Sequence, residues 1–114
     1  MKSATAALPV AALVLIAAVL SAAPGTKTFT GIITDDICPT GNHSHMRMGP
    51  TDAECAIACV SAHEAAYVLY DGKTYYKLSG RQALEKFAGH KVKVTGELDE
   101  KTQVIRMDSI TSEN

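Results

Sequence analysis

Between residues 38 and 63 the chain concentrates all three of its cysteines, Cys38, Cys55 and Cys59, with His43, His45, His63, Met46 and Met48. Cys55, Cys59 and His63 follow one another at steps of four. On an α-helix each such step turns the side chain by only about 40°, so the three share one face. Two thiolates one turn apart can chelate a single ion, as paired helical histidines do in other metal sites. If the preceding loop returns Cys38 over that face with His43 or His45, three sulfurs and a nitrogen complete a tetrahedral site. Such a donor set suits zinc, and thiolate with thioether donors also suits Cu(I). Met46 and Met48 tilt the choice toward the softer metal, although the plainer role for them is to cover the core from the loop. The plainer role for His63 is to meet the dipole at a helix C-terminus. Asp35 and Asp36 read first as a solvated strand end, pointing to opposite sides. Asp35 lies near enough in sequence to serve a histidine of the cluster as a hydrogen-bond partner.

The same sulfurs admit a second reading. An odd number of cysteines cannot be closed by internal disulfides. Cys38 joined to Cys55 or Cys59 would close a loop of roughly 20 residues and stabilise by about 3 kcal/mol through chain entropy. The third cysteine would then be a buried apolar residue or a link to another molecule. A bridge between Cys55 and Cys59 is disfavoured by the direction of helical Cβ atoms. The two readings, an exported metal-binding protein and a disulfide-stapled binding or interaction module without metal, stay open at this point. Thiol-redox chemistry stands behind both, because Cys55-x-x-x-Cys59 is not the Cys-x-x-Cys of redox helices. There is no Cys-x-x-Cys-His haem attachment motif and no Ser/His/Asp nucleophile turn, so no residue is assigned a catalytic role.

These residues need elements to position them. Phe29 to Thr34 is rich in β-branched side chains and predicts a first strand over residues 28–35. The Gly/Pro/Asn-rich stretch from Cys38 to Pro50 predicts a loop. Thr51-Asp52-Ala53-Glu54 has the form of a capping box, and an Ala-rich helix follows from about Asp52 to His63. Tyr67 to Tyr70 and Thr74 to Leu78 flank Asp71-Gly72 and predict a hairpin. Ser79 to Gln82 resembles a second capping box, opening a short helix through Leu84, Phe87 and Ala88 that ends at Gly89. Lys91 to Gly96 alternates with Val92 and Val94 inward, and Gln103 to Ile110 makes the last strand, with a bulge expected near Val104 and Ile105. The expected fold is mainly β with short helices. It is a five-stranded OB-like Greek-key barrel with a helix inserted after strand 1. Tyr67, Tyr70, Tyr75 and Tyr76 fall on its hairpin, where aromatics can stack on sugars or bases but more commonly serve the core.

Several of these segments resemble a group of small exported bacterial proteins to which no activity is attached. The stretches are Gly31-Ile32-Ile33-Thr34-Asp35-Asp36-Ile37-Cys38, His45-Met46-Arg47-Met48-Gly49, Cys55-Ala56-Ile57-Ala58-Cys59-Val60, Tyr67-Val68-Leu69, and Phe87 through Gly96. The resemblance spans nearly the whole chain after the leader and implies an OB-like fold. It places His45, rather than His43, on the family's histidine. The chain departs from the pattern in a longer loop between Cys38 and His45 and in the added His43.

The ends and the charge bound the setting. Lys2, an apolar run from Ala6 to Leu20 and small residues at Ser21-Ala22-Ala23 predict a leader over residues 1–25, cut near Ala23 to Gly25. One OB-like domain over residues 26–114 then remains, about 90 residues in a periplasmic or secreted setting with no stable membrane insertion. The whole chain carries a formal net charge of −1 and no basic block, which argues against nucleic acid as a partner. A domain this small gains from a staple or a metal, so a metal ion is the expected partner and zinc or copper the expected cofactor.

Overall fold

β1 (Thr26–Asp35) is the strand around which the others are arranged in the computed structural model, which describes residues 25–113. The expected leader over residues 1–25 lies, apart from Gly25, outside the described residues. Among the described residues, no helix is long and apolar enough to cross a membrane. β1 pairs antiparallel with β4 (Lys91–Asp99) from Thr26 to Ile32, and with β2 (Tyr67–Tyr70) from Ile32 to Asp35. The change of partner falls beside Gly31, where an added Cβ would sit 2.2 Å from the Tyr70 carbonyl oxygen. Only a residue without a side chain admits the backbone there.

β2 turns into β3 (Tyr75–Ser79) through Asp71, whose Oδ1 accepts from the N–H groups of Lys73 and Thr74 at 2.8 and 2.9 Å. β3 runs parallel to β5 (Val104–Ser112), and β5 returns antiparallel to β4. The five strands therefore form one sheet that closes on itself in the order β1-β2-β3-β5-β4. Alternation decides what faces inward. Ile33, Leu69, Val92, Val94, Ile105 and Met107 meet Phe87 in the core, and Phe29, Tyr67, Tyr76, Leu78, Leu84, Leu98 and Ile110 pack against it. Tyr76 points in and Tyr75 out, as neighbours in a strand must.

Two expectations are corrected here. The bulge lies in β5 at Asp108, where the register jumps from Thr95 opposite Ser109 to Gly96 opposite Met107. Val104 and Ile105 keep ordinary alternation, and the extra residue lets Met107 and Ile110 both serve the core. The helix expected from Ser79 is absent as well. Ser79 is held extended by pairing with Arg106, and Gly80 has φ +147°, outside the helical region. Only a single 3₁₀ turn, η1 (Glu85–Phe87), forms there.

α1 (Asp52–His63) has the boundaries its composition predicts. Thr51 Oγ1 accepts from the Glu54 N–H at 3.1 Å and donates to Glu54 Oε2, so half of the expected capping box forms. Glu64 ends the helix in the left-handed conformation with φ 55°. The helix buries Cys55, Ala56 and Cys59 against the end of β1, while its first turn meets Gly89. Gly89 has φ +75°, and a Cβ there would stand 2.8 Å from Ala53 Cβ. Gly89→Ala combines left-handed strain with that overlap, and urea denaturation should show a loss of about 1–3 kcal/mol.

Candidate metal centre

Where β1 leaves the sheet, its last side chain meets the loop and the helix. Asp35 is fully buried although it is a carboxylate at a strand end, and Asp36 beside it is exposed. The solvated strand end expected for the pair thus holds for Asp36 alone. Burying a carboxylate is costly unless its oxygens are matched, and here both are. Oδ1 accepts from the N–H groups of Ile37 and Cys38 at 3.0 and 2.9 Å, fixing the turn that starts the loop. Oδ2 lies 2.6 Å from Nε2 of His43, itself fully buried.

The loop comes back because its own polar groups make it turn. Gly41 donates to the Cys38 carbonyl at 2.9 Å, Ser44 N–H to Asn42 Oδ1 at 3.0 Å, and Met46 N–H to the His43 carbonyl at 3.2 Å. Thr34 Oγ1 holds the Cys38 carbonyl from the strand at 3.1 Å. These turns carry Cys38 and His43 over the end of β1, and a ligating atom from each of Asp35, Cys38 and His43 lies within 4.8 Å of the other two.

His43 is informative because of what surrounds it. Nε2 faces a carboxylate oxygen of Asp35; Nδ1 faces the Gly41 carbonyl at 3.2 Å and Asp52 Oδ1 at 3.3 Å. Every one of these neighbours is an acceptor. A neutral imidazole has one N–H and one lone pair, so one nitrogen would point its lone pair at an oxygen. With Nδ1–H directed at Gly41 and Asp52, Nε2 and Asp35 Oδ2 need a proton or a metal ion between them. A ligating histidine characteristically gives its other N–H to a carbonyl or carboxylate, which is the arrangement at Nδ1.

The helical cysteines divide the work. Cys55 Sγ accepts from the Met48 N–H at 3.3 Å and from Arg47 Nη1 at 3.9 Å, and its thiol donates to the Gly49 carbonyl at 3.3 Å. Its sulfur therefore clasps the second half of the loop. Cys59 is fully buried and lies close enough to Asp35 to feel its charge. Burial pushes the Cys59 thiol above its ordinary pKa, and the charge of Asp35 and the neighbouring Cys38 and Cys55 push it the same way. Cys38 is raised too, first by desolvation and then by Asp35, Cys55 and Asp52. Both are therefore thiols near neutral pH, and a metal would have to displace their protons. No disulfide joins the three cysteines, and the loop sulfur sits on the side of the sheet where the helix lies.

Of the six residues singled out from sequence, the structure brings Cys38 and His43 into one group, sets Cys59 against it, and turns Cys55 to the loop. His45 and His63 are exposed. The family resemblance favours His45, and the buried imidazole is that of His43. Asp35 enters as a direct neighbour of His43 and a member of the buried Asp/Cys/His group, a larger role than the supporting one its position suggested. Asp52 was legible only as a first-turn acid of α1; its contact with His43 depends on how the loop is folded. Met46 and Met48 do not cover the core: they are 41% and 39% exposed. Comparison with protein-family models, curated proteins and solved structures returned no match to this chain.

Proposed function

We propose that this chain is a small exported zinc-binding domain on an OB-type Greek-key barrel, in which the metal ties the loop after β1 to the sheet. Asp35 Oδ2, Cys38 Sγ and His43 Nε2 are the donors, and Cys59 Sγ is the neighbouring thiol able to complete four. The observation that carries this reading is a buried imidazole with acceptors on both sides, in reach of a carboxylate and a thiol. Zinc bonds of about 2.0–2.3 Å place tetrahedral donors roughly 3.3–3.8 Å apart. The Asp35–His43 contact would widen, and the widest separation allowed by the group would close slightly. Oxygen, nitrogen and sulfur together suit zinc better than a purely soft ion. The strand order with parallel β3 and β5 supports the OB-type assignment. The apolar run before residue 24 supports export.

A structural role follows from size. With one modest core over about 90 residues, the domain gains folding free energy from an ion that its unfolded chain cannot hold. Purification from the oxidising compartment, metal analysis by mass spectrometry and thiol counting before and after denaturation test the proposal. About one zinc per chain with three protected thiols is expected. A metal-free protein with one titratable thiol would instead be the stapled module.

A further inference from the structure

The loop that buries His43 turns a second set of donors outward. Within the segment from His43 to Gly49, Arg47 points back to α1, with Nη2 3.3 Å from Asp52 Oδ1 and Nη1 3.4 Å from the Gly49 carbonyl. The residues on either side of it, Met46 and Met48, point to solvent. His45, next to Met46, is exposed as well. The backbone beneath them is anchored: the Met46 N–H is bonded to the His43 carbonyl at 3.2 Å and the Met48 N–H to Cys55 Sγ at 3.3 Å. The contrast with Met107, which is 6% exposed in the core, shows what methionine does in this domain when it serves packing. Two thioethers and an imidazole are thus held at the surface of a pinned turn, without contributing to the core.

We infer that His45, Met46 and Met48 form a surface site for a soft monovalent cation of the Cu(I) or Ag(I) class, separate from the buried donors. Thioether sulfur is a neutral, polarizable ligand that favours such ions over zinc, calcium or magnesium. An imidazole nitrogen completes a low-coordinate set with no net charge to compensate. Methionines two positions apart on either side of an anchored arginine need only side-chain rotation to meet one ion, and methionine has the rotatable bonds to do it. The site shares no ligand with the Asp35 group, so either can fail without the other.

Silver(I), which is redox-inert, is the probe. The protein carries ¹³C-labelled methionine methyls and is titrated while methyl and imidazole resonances are followed. The three thiols take the first equivalents. At a further equivalent the Met46 and Met48 methyls and the His45 ring protons should move together, with Met107 unmoved as the internal reference. Met46→Leu with Met48→Leu changes exposed positions only, and should bind one silver fewer with the same zinc content as the parent. Silver binding that leaves either the two methyls or the His45 ring unmoved overturns the inference. So does an unchanged silver count in the double variant.

Discussion

Replacing Asp35 by alanine should cost about 3–5 kcal/mol, the loss seen when one partner of a buried, hydrogen-bonded pair is removed. Three groups lose their acceptor at once: His43 Nε2 and the N–H groups of Ile37 and Cys38. All three belong to the turn that brings the loop back, so damage should spread from β1 into residues 36–51. Against the roughly 5–15 kcal/mol that holds a typical domain together, such a loss leaves a sizeable unfolded population. Asp35→Asn separates structure from metal binding. The amide oxygen can still accept from Ile37 and Cys38, so chemical denaturation should show a smaller loss than for alanine. The anionic donor is gone, however, and zinc retention should fall with it. Equal stability of the alanine variant and the parent would show that the buried pair contributes nothing to holding the loop.

Zinc itself should change the stability of this domain more than any surface substitution. An ion that binds only the folded chain stabilises by about 4.1 kcal/mol when its free concentration is a thousand times the dissociation constant. For a domain of this size each kcal/mol corresponds to roughly 4–8 °C in melting temperature, so stripping the metal should lower the midpoint by more than about 15 °C. Restoring zinc should restore the midpoint, whereas calcium and magnesium should not, because thiol and imidazole donors do not suit them. His43→Ala should abolish the zinc-dependent shift and His63→Ala should leave it intact. His63 lies exposed at the end of α1 and outside the buried group. A chelator-insensitive melt in the parent protein would remove the metal from this account.

The apolar alternation of Val92 and Val94, the Asp71-Gly72 turn and the Thr51 cap were each readable from residue types, and each appears where it was expected. These are local choices: strand period, turn chemistry and capping act over a few residues. The helix expected from Ser79 failed because a parallel pairing with Arg106, from a distant part of the chain, holds Ser79 extended. The bulge at Asp108 is likewise set by the register of β4 against β5, which no window of β5 alone contains.

The candidate site divides along the same line. Cys55 and Cys59 on one buried helix face follow from their spacing, and Asp35 and Asp36 on opposite sides follow from strand geometry. Which histidine turns inward was decided by the hydrogen bonds of the loop. The turns at Cys38–Gly41 and His43–Met46 bury one imidazole and expose its neighbour two residues away. Sequence by itself determined the strands, the helix and the stock of ligands. Tertiary structure alone decided that Asp35, Cys38 and His43 meet, because their meeting depends on which polar groups of the loop pair with one another, with Asp35 and with Asp52 of α1, and residue spacing does not specify that pairing.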